Sequence, residues 1–175
     1  YARAEGQWRW DIAQIRRRGM TDNVVELMLQ KLRTLPPETQ ALLTLAAHLG
    51  DSFDMRQLMA VGGQEALPTA AVLWPALQAG MVLPLDEGYK FAQDAAQLES
   101  SRYRFLHDRV QQAAYALTQE QDRLQLRLHC GRLLLAHSSP DELRARLFTI
   151  VEHLNAAVGL IDDPGERTRL LQLNL

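Results

Sequence analysis

Residues 81–108 read MVLPLDEGYKFAQDAAQLESSRYRFLHD, and this stretch decides the fold. Most of the chain carries apolar residues at helical spacing, but here the period changes. "MVLPL" is short and apolar, "DEG" offers a turn, and "YKFAQ" can extend again. After the polar run "DAAQLESS", the residues "RYRFLH" alternate polar and apolar, as a half-buried strand does. A small β-hairpin is therefore expected in an otherwise helical chain, and His107 and Asp108 fall where its last strand gives way to a helix.

Working back from the hairpin, three helices are expected. "QEALPTAAVLWPALQAG" forms the nearest, interrupted or kinked at Pro68 and Pro75 and ended by Gly80. "FDMRQLMAV" forms a short one before Gly62-Gly63, and residues 37–49 form another, with Leu42, Leu45, Ala46 and Leu49 on one side and Gly50 as its stop. Three helices followed by a hairpin is the element order of a winged helix. Before them, "TDNVVELM" starts a helix that Thr21 or Asp22 can cap. Its stripe is Val24, Leu27, Met28, Leu32 and Leu35, and Pro36-Pro37 closes it. Upstream lie Trp8, Trp10, Ile12 and Ile15, then Arg16, Arg17 and Arg18.

Downstream of His107 the period returns to helical. Val110, Ala113, Ala114 and Leu117 recur at i, i+3, i+4 and i+7. Leu124, Leu128, Gly131 and Leu135 line the next helix. Ser139-Pro140 opens another, with Leu143, Leu147, Ile150, Val151, Leu154 and Val158 on one face. In "DDPGER", Asp163 suits a cap, Pro164 the first turn, and Glu166 the reciprocal position of a capping box. Helices joined by short connections suggest the start of a helical-repeat (TPR-like) array. The expected class is mainly α, with a tail over 1–35, a winged helix over 36–118 and the start of the array over 119–175.

Composition narrows the function. The chain has 175 residues, 47% hydrophobic and 23% charged, with a formal net charge of −2. That balance gives no strong field for nucleic acid or an anionic membrane. The lone Cys130 cannot form an internal disulfide, which fits a reducing cytoplasm, and it reads as a packing residue. No apolar run is long enough to span a bilayer. No signal peptide or starting methionine is visible, and the chain reads as a segment of a longer protein.

Motifs for chemistry are missing. There is no phosphate loop, no H-E-x-x-H, no paired C-x-x-C and no G-x-S-x-G elbow. None of His48, His107, His129, His137 and His153 lies four residues from another, so no helical metal site, cofactor or complete enzyme is expected. DNA reading is disfavoured as well. A third helix in the major groove needs Arg, Lys, Asn or Gln, yet no lysine or arginine lies between Arg56 and Lys90. The alternatives to a regulatory module are a DNA-binding arm of a transcriptional regulator and a purely structural helical scaffold.

"WRWDIAQI", "TDNVVELMLQKL", "LPPETQALLTLAAHLGDSFD" and "RYRFLHDRVQQAAYAL" together resemble the segment behind the nucleotide-binding core of large bacterial signalling proteins. Those proteins join a serine/threonine-kinase-like domain, a STAND-type ATPase of the AAA-related class, helical repeats and a sensor histidine kinase. The resemblance covers nearly the whole chain and is most specific over Asp22–Asp54 and Tyr103–Leu117. It makes residues 1–35 a helical tail of an ATPase lid, and it implies ATP or ADP with magnesium in the parent protein. Leu106-His107-Asp108 also resembles the M-H-D triplet in winged helices of plant disease-resistance and apoptotic STAND ATPases. The resemblance implies that His107 contacts the terminal phosphate of ADP, that Asp108 supports it, that Arg109 stands nearby, and that Leu106 replaces the methionine as an apolar anchor. Its implied partners are the upstream ATPase core and the downstream repeats of the same chain, with a further protein partner possible on the repeats.

The physics suits that role and a simpler one. A helix N-terminus has unpaired N–H groups and a positive dipole end, and a histidine adds a ring donor. The simpler reading is that His107 caps the helix and Asp108 serves its dipole. The same choice applies elsewhere. Trp8 and Trp10 suit an aromatic contact to the ATPase core or plain packing, Arg16–Arg18 a phosphate or a solvated face, and Tyr103 and Arg104 exposed positions on the wing.

Overall fold

The computed structural model describes residues 2–4, 7–9, 20–88 and 95–175. Trp10, Ile12, Ile15, Arg16–Arg18 and all of "YKFAQ" lie outside the described residues, as does the side chain of Trp8. The chain opens with β1 (Ala2–Ala4) paired antiparallel to β2 (Gln7–Arg9), in the register Ala2↔Arg9 and Ala4↔Gln7. This corrects the expectation of a wholly helical tail. The tryptophan of "QWR" is a residue type that favours a pleated ladder.

Helix α1 (Met20–Leu32) already includes Thr21 and Asp22, so neither is its cap. Its buried stripe is also rotated from the expected one. Val25, Met28, Leu29 and Leu32 pack inward, while Val24 and Leu27 stay exposed. The cause is α6 (Asp108–Ala116), on which α1 lies. Leu35, in the turn that follows, is buried as expected.

Helix α2 (Pro37–Leu49) is the centre of the molecule. It buries Thr39, Leu42, Leu43, Ala46, Ala47, His48 and Leu49, more than one face's worth, because α3, α4, α6 and α7 all pack around it. Gly50 ends it at φ +138, a conformation that excludes a Cβ. Strand β3 (Ser52–Asp54) follows and was not foreseen, since Phe53 looked like the first residue of the next helix. That helix, α3 (Met55–Gly62), starts later because Asp54 is its N-cap. The Asp54 carboxylate accepts from Gln57 N at 2.8 Å, and Gln57 Oε1 accepts from Asp54 N at 3.0 Å.

Of the expected interruption or kink, an interruption does not occur: helix α4 (Ala66–Gln78) is continuous through both prolines. Pro68 falls in the first turn, where an N–H has no helical partner anyway. Pro75 sits inside the helix and disturbs the carbonyls of the preceding turn. Next to the Ala71 carbonyl that Pro75 leaves without its helical donor, Val72 O receives the buried Thr39 hydroxyl from α2 at 2.8 Å.

Strand β4 (Val82–Pro84), the five-residue helix α5 (Ala95–Glu99) and β5 (Arg102–Phe105) complete the first half. The sheet order is β3-β5-β4, all antiparallel, with Phe53↔Tyr103 and Val82↔Phe105 in register. Pro84 is tolerated because β4 is an edge strand. As expected, β5 alternates: Tyr103 and Phe105 are buried, Arg102 and Arg104 exposed. Tyr103 is thus no exposed wing contact. It lies 6.1 Å from the Phe53 ring, which in turn meets Phe105 edge-on at 5.5 Å.

After α6 come a 3₁₀ turn (Glu120–Asp122), α7 (Arg123–His137), α8 (Pro140–Ala156), a second 3₁₀ turn (Val158–Leu160) and α9 (Pro164–Leu173). Only Ser138 and Ser139 separate α7 from α8, and the two pack closely along their length. Gly131 allows the approach, since a Cβ there would lie 2.8 Å from Leu154 Cδ2. The expected stripes shift slightly. Leu128 and Gly131 are buried with Cys130 and Leu134, while Leu124 and Val158 are exposed. Asp163 caps α9, accepting from Glu166 N at 2.8 Å, but Glu166 does not complete the capping box. Its carboxylate takes two 2.8 Å bonds from Arg132 of α7 instead, tying α9 to the hairpin of helices.

The described residues are therefore mainly helical, with one small three-stranded antiparallel sheet and a two-stranded ladder near the start. Helices α2, α3 and α4 precede the β4–β5 pair as expected, with β3 and α5 as additions. Among the described residues no helix is long and apolar enough to cross a membrane.

Candidate functional site

Strand β5 delivers His107 to the start of α6. The Leu106 N–H bonds Met81 O at 2.9 Å and the Phe105 N–H bonds Asp51 O at 3.0 Å, which fixes the backbone entering the helix. Leu106 itself is exposed, so it is no buried anchor: strand alternation turns it away from the face that buries Phe105.

His107 has extended backbone angles, φ −157 and ψ 151, and is the N-cap of α6. Its Nδ1 accepts from Arg109 N at 3.2 Å. That bond requires a lone pair on Nδ1, so the neutral ring carries its proton on Nε2. The Asp108 Oδ1 lies 3.6 Å from the same Nδ1. A proton placed on Nδ1 would exchange the cap for an ion pair with Asp108. Both side chains are open to solvent, at 63% and 81% exposure, which leaves Nε2–H free as an outward donor. Arg109 is engaged along its own helix, donating to Gln112 Oε1 at 2.7 Å. The chain thus brings His107 and Asp108 together at one exposed helix end, and directs Arg109 away from them.

The far end of α6 meets a constellation that the sequence did not reveal. His48 of α2 and His153 of α8 are both buried, with ring centroids 6.4 Å apart. The Tyr115 ring from α6 lies 4.3 Å from His48, and His48 Nε2 meets the Thr118 hydroxyl at 3.1 Å. Arg127 of α7 donates to the Tyr115 hydroxyl and to Glu152, both at 3.3 Å, and the Arg123 guanidinium stands 5.8 Å from the Tyr115 ring centroid. Gln111 adds a 3.2 Å bond from α6 to Ala47 O. Four helices, α2, α6, α7 and α8, are thus joined by polar contacts at one buried junction.

Electrostatics keeps both imidazoles neutral. Burial, then the neighbouring His153, Arg127 and Arg123, bring His48 down from 6.5 to about 4. Burial likewise lowers His153, opposed by a hydrogen bond with the His48 backbone. His48 Nδ1 and His153 Nδ1 have no hydrogen-bond partner among the described residues. Spacing along the chain gave no sign of the pair, because the two histidines belong to helices that meet only in the fold. An apolar helix carrying one histidine on its buried side was the signal available at each position.

Cys130 is buried, and its thiol is pushed up to about 12 by burial, as for a packing residue. No cluster of three or more metal-ligating side chains occurs among the described residues. The outward side of α4 presents Leu67, Pro68, Ala71, Trp74 and Gln78, an apolar stripe without a cation.

No family model matches the sequence, and no solved structure matches it. Among curated proteins the chain is 26% identical, over 207 aligned residues covering 96% of its length, to the "Hybrid signal transduction histidine kinase G" of Dictyostelium discoideum. It spans only 6% of that relative's length. The relative's name carries the histidine-kinase part of the expected resemblance, and neither its ATPase part nor a bacterial source. The chain is thus similar to one short segment of a far longer signal-transduction protein.

Proposed function

We propose that the chain is a regulatory module of a larger signalling protein: a winged helix that senses the nucleotide state of an ATPase core and relays it to helical repeats. The carrying observation is α6, which has the exposed His107–Asp108 cap at one end and Tyr115 in the buried junction at the other. A shift of α6 on phosphate contact would move Tyr115 against His48 and Arg127, and so reach α7 and α8. Similarity to a signal transduction histidine kinase supports the signalling class.

His107 fits a phosphate contact through Nε2–H, the ring nitrogen that capping leaves free. It supplies a single donor, so the nucleotide, its magnesium and the phosphate loop would belong to a core outside these residues. We assign the segment no catalysis of its own. The apolar outward stripe of α4 supports protein contact over DNA, because base edges and phosphates require donors and cations there.

The test is ADP dissociation from the full-length parent carrying His107→Ala or His107→Asn. Asparagine retains N-capping but lacks the Nε2–H of the ring. Faster ADP release in both variants supports sensing. Unchanged release in both, with earlier melting of the alanine variant alone, leaves His107 a structural cap and refutes the relay.

A further inference from the structure

A cleft of about 220 Å³ opens between α3 and α7, on the seam between the sheet-bearing half and the helical hairpin. Its apolar lining is Leu49, Val61, Leu133 and Leu134, all buried or half-buried. Arg56 and His137 stand exposed at its edge, and neither has an ion-pair or hydrogen-bond partner among the described residues. The carboxylate that also borders it, Asp54, is committed to the first turn of α3 through its bond from Gln57 N.

Size and chemistry together select the occupant. Cofactors and drug-sized ligands occupy roughly 300–1,000 Å³, so this cleft is small for one and suits one or two side chains of a peptide. The lining asks for an apolar side chain, and the unpaired Arg56 guanidinium asks for a carboxylate beside it, with the His137 ring as a further polar neighbour. A guanidinium without a partner at the edge of an apolar hollow matches an acidic group on an incoming chain.

We propose that this cleft is the docking pocket for a peptide segment of a partner protein, one that inserts a Leu, Met or Phe side chain and places an Asp or Glu against Arg56 and His137. The occupant would touch α3 and α7 at once and so clamp the two halves together. This gives the relay proposed above its partner site. It depends on that reading for its consequence only, since peptide binding requires neither nucleotide nor His107.

The experiment pans a random dodecapeptide display library on the 175-residue chain without nucleotide, then measures enriched peptides by fluorescence polarisation. Enriched sequences are expected to hold Leu, Met or Phe within two residues of Asp or Glu. Affinity is expected to fall at least about tenfold in Arg56→Glu, in Ala60→Trp, which fills the cleft, and when the peptide's acid is changed to lysine. Arg56 is exposed and unpaired, so Arg56→Glu should melt like the parent chain and remain informative even where Ala60→Trp unfolds. No enrichment, enrichment of basic peptides, or unchanged binding to Arg56→Glu overturns the proposal. The ADP-release outcome for His107 variants bears on the relay alone, so the two failures are separable.

Discussion

The buried histidine pair makes the fold sensitive to mild acid, and the effect can be worked out from His48. Its folded value is about 4, against 6.5 for the free side chain. A basic group lowered in this way favours the folded state while neutral. The unfolded chain binds the extra proton first, so stability is full above 6.5 and is lost as pH falls toward 4. At about pH 5 the linkage removes about 2 kcal/mol relative to neutral pH. For a chain of this size that is about 4–8 °C in Tm. His153 is shifted in the same direction and adds to the slope. Replacing His48 by Gln keeps a polar group in reach of Thr118 and removes the titration. Thermal melts across about pH 5–7.5 are therefore expected to slope less steeply in His48→Gln than in the parent chain. If both slopes are equal, His48 is solvated or already charged in the fold, and the account of the junction as a desolvated pair is wrong.

Three further outcomes follow from local geometry. His107→Ala removes the cap from Arg109 N and should cost about 1 kcal/mol, while His107→Asn should fall within about half of that, measured by denaturant melts. Gly131→Ala drives a methyl into Leu154 and His153 of α8 and should destabilise by about 1–3 kcal/mol, with the hydrogen exchange of α7 and α8 rising together. Glu166→Gln breaks the twin bonds from Arg132. Because Arg132 holds the Glu166 carboxyl below its ordinary value, that contact stabilises at neutral pH and is lost as acid protonates Glu166. The partly exposed pair predicts a loss of no more than about 1 kcal/mol, shrinking at high salt.

What could be read from the sequence follows the range of the forces involved. The alternation of β5, the glycine stops at Gly50 and Gly63, the cap at Asp163 and the apolar face of α6 are all set by neighbours within a few residues, and the pattern found them. Strand β3 escaped because three residues are too few to display a period, although the Asp54–Gln57 spacing of a capping box marked the true start of α3. The stripe of α1 was misplaced by one position because propensity cannot say which side α6 will cover. Pro75 looked like a break or a kink, and only the fold supplies the packing on α2 and α3 that carries α4 through it. His107 and Asp108 could be read because they are adjacent. The His48–His153 junction could not, because nothing local to α2 or α8 marks either histidine as one of a pair.

This division bears on how a signal could travel. The exposed end of α6 is held by one side-chain cap and two strand-like backbone bonds, a small energy that a bound phosphate can rival. The buried end is held by polar contacts to two other helices, α2 and α7, whose loss would leave the His48 imidazole unpartnered away from water. A rod that is weakly fixed at one end and strongly keyed at the other passes a displacement inward instead of absorbing it. If the keyed end were instead loose, Tyr115→Phe, which removes the hydroxyl that Arg127 reaches, would leave the exchange of α7 and α8 unchanged. The expected result is faster exchange in both, with α1 and α4 unaffected, read by hydrogen exchange of the 175-residue chain. Equal exchange throughout would mean that packing alone joins the halves, and that α6 has no mechanical link to α7 and α8.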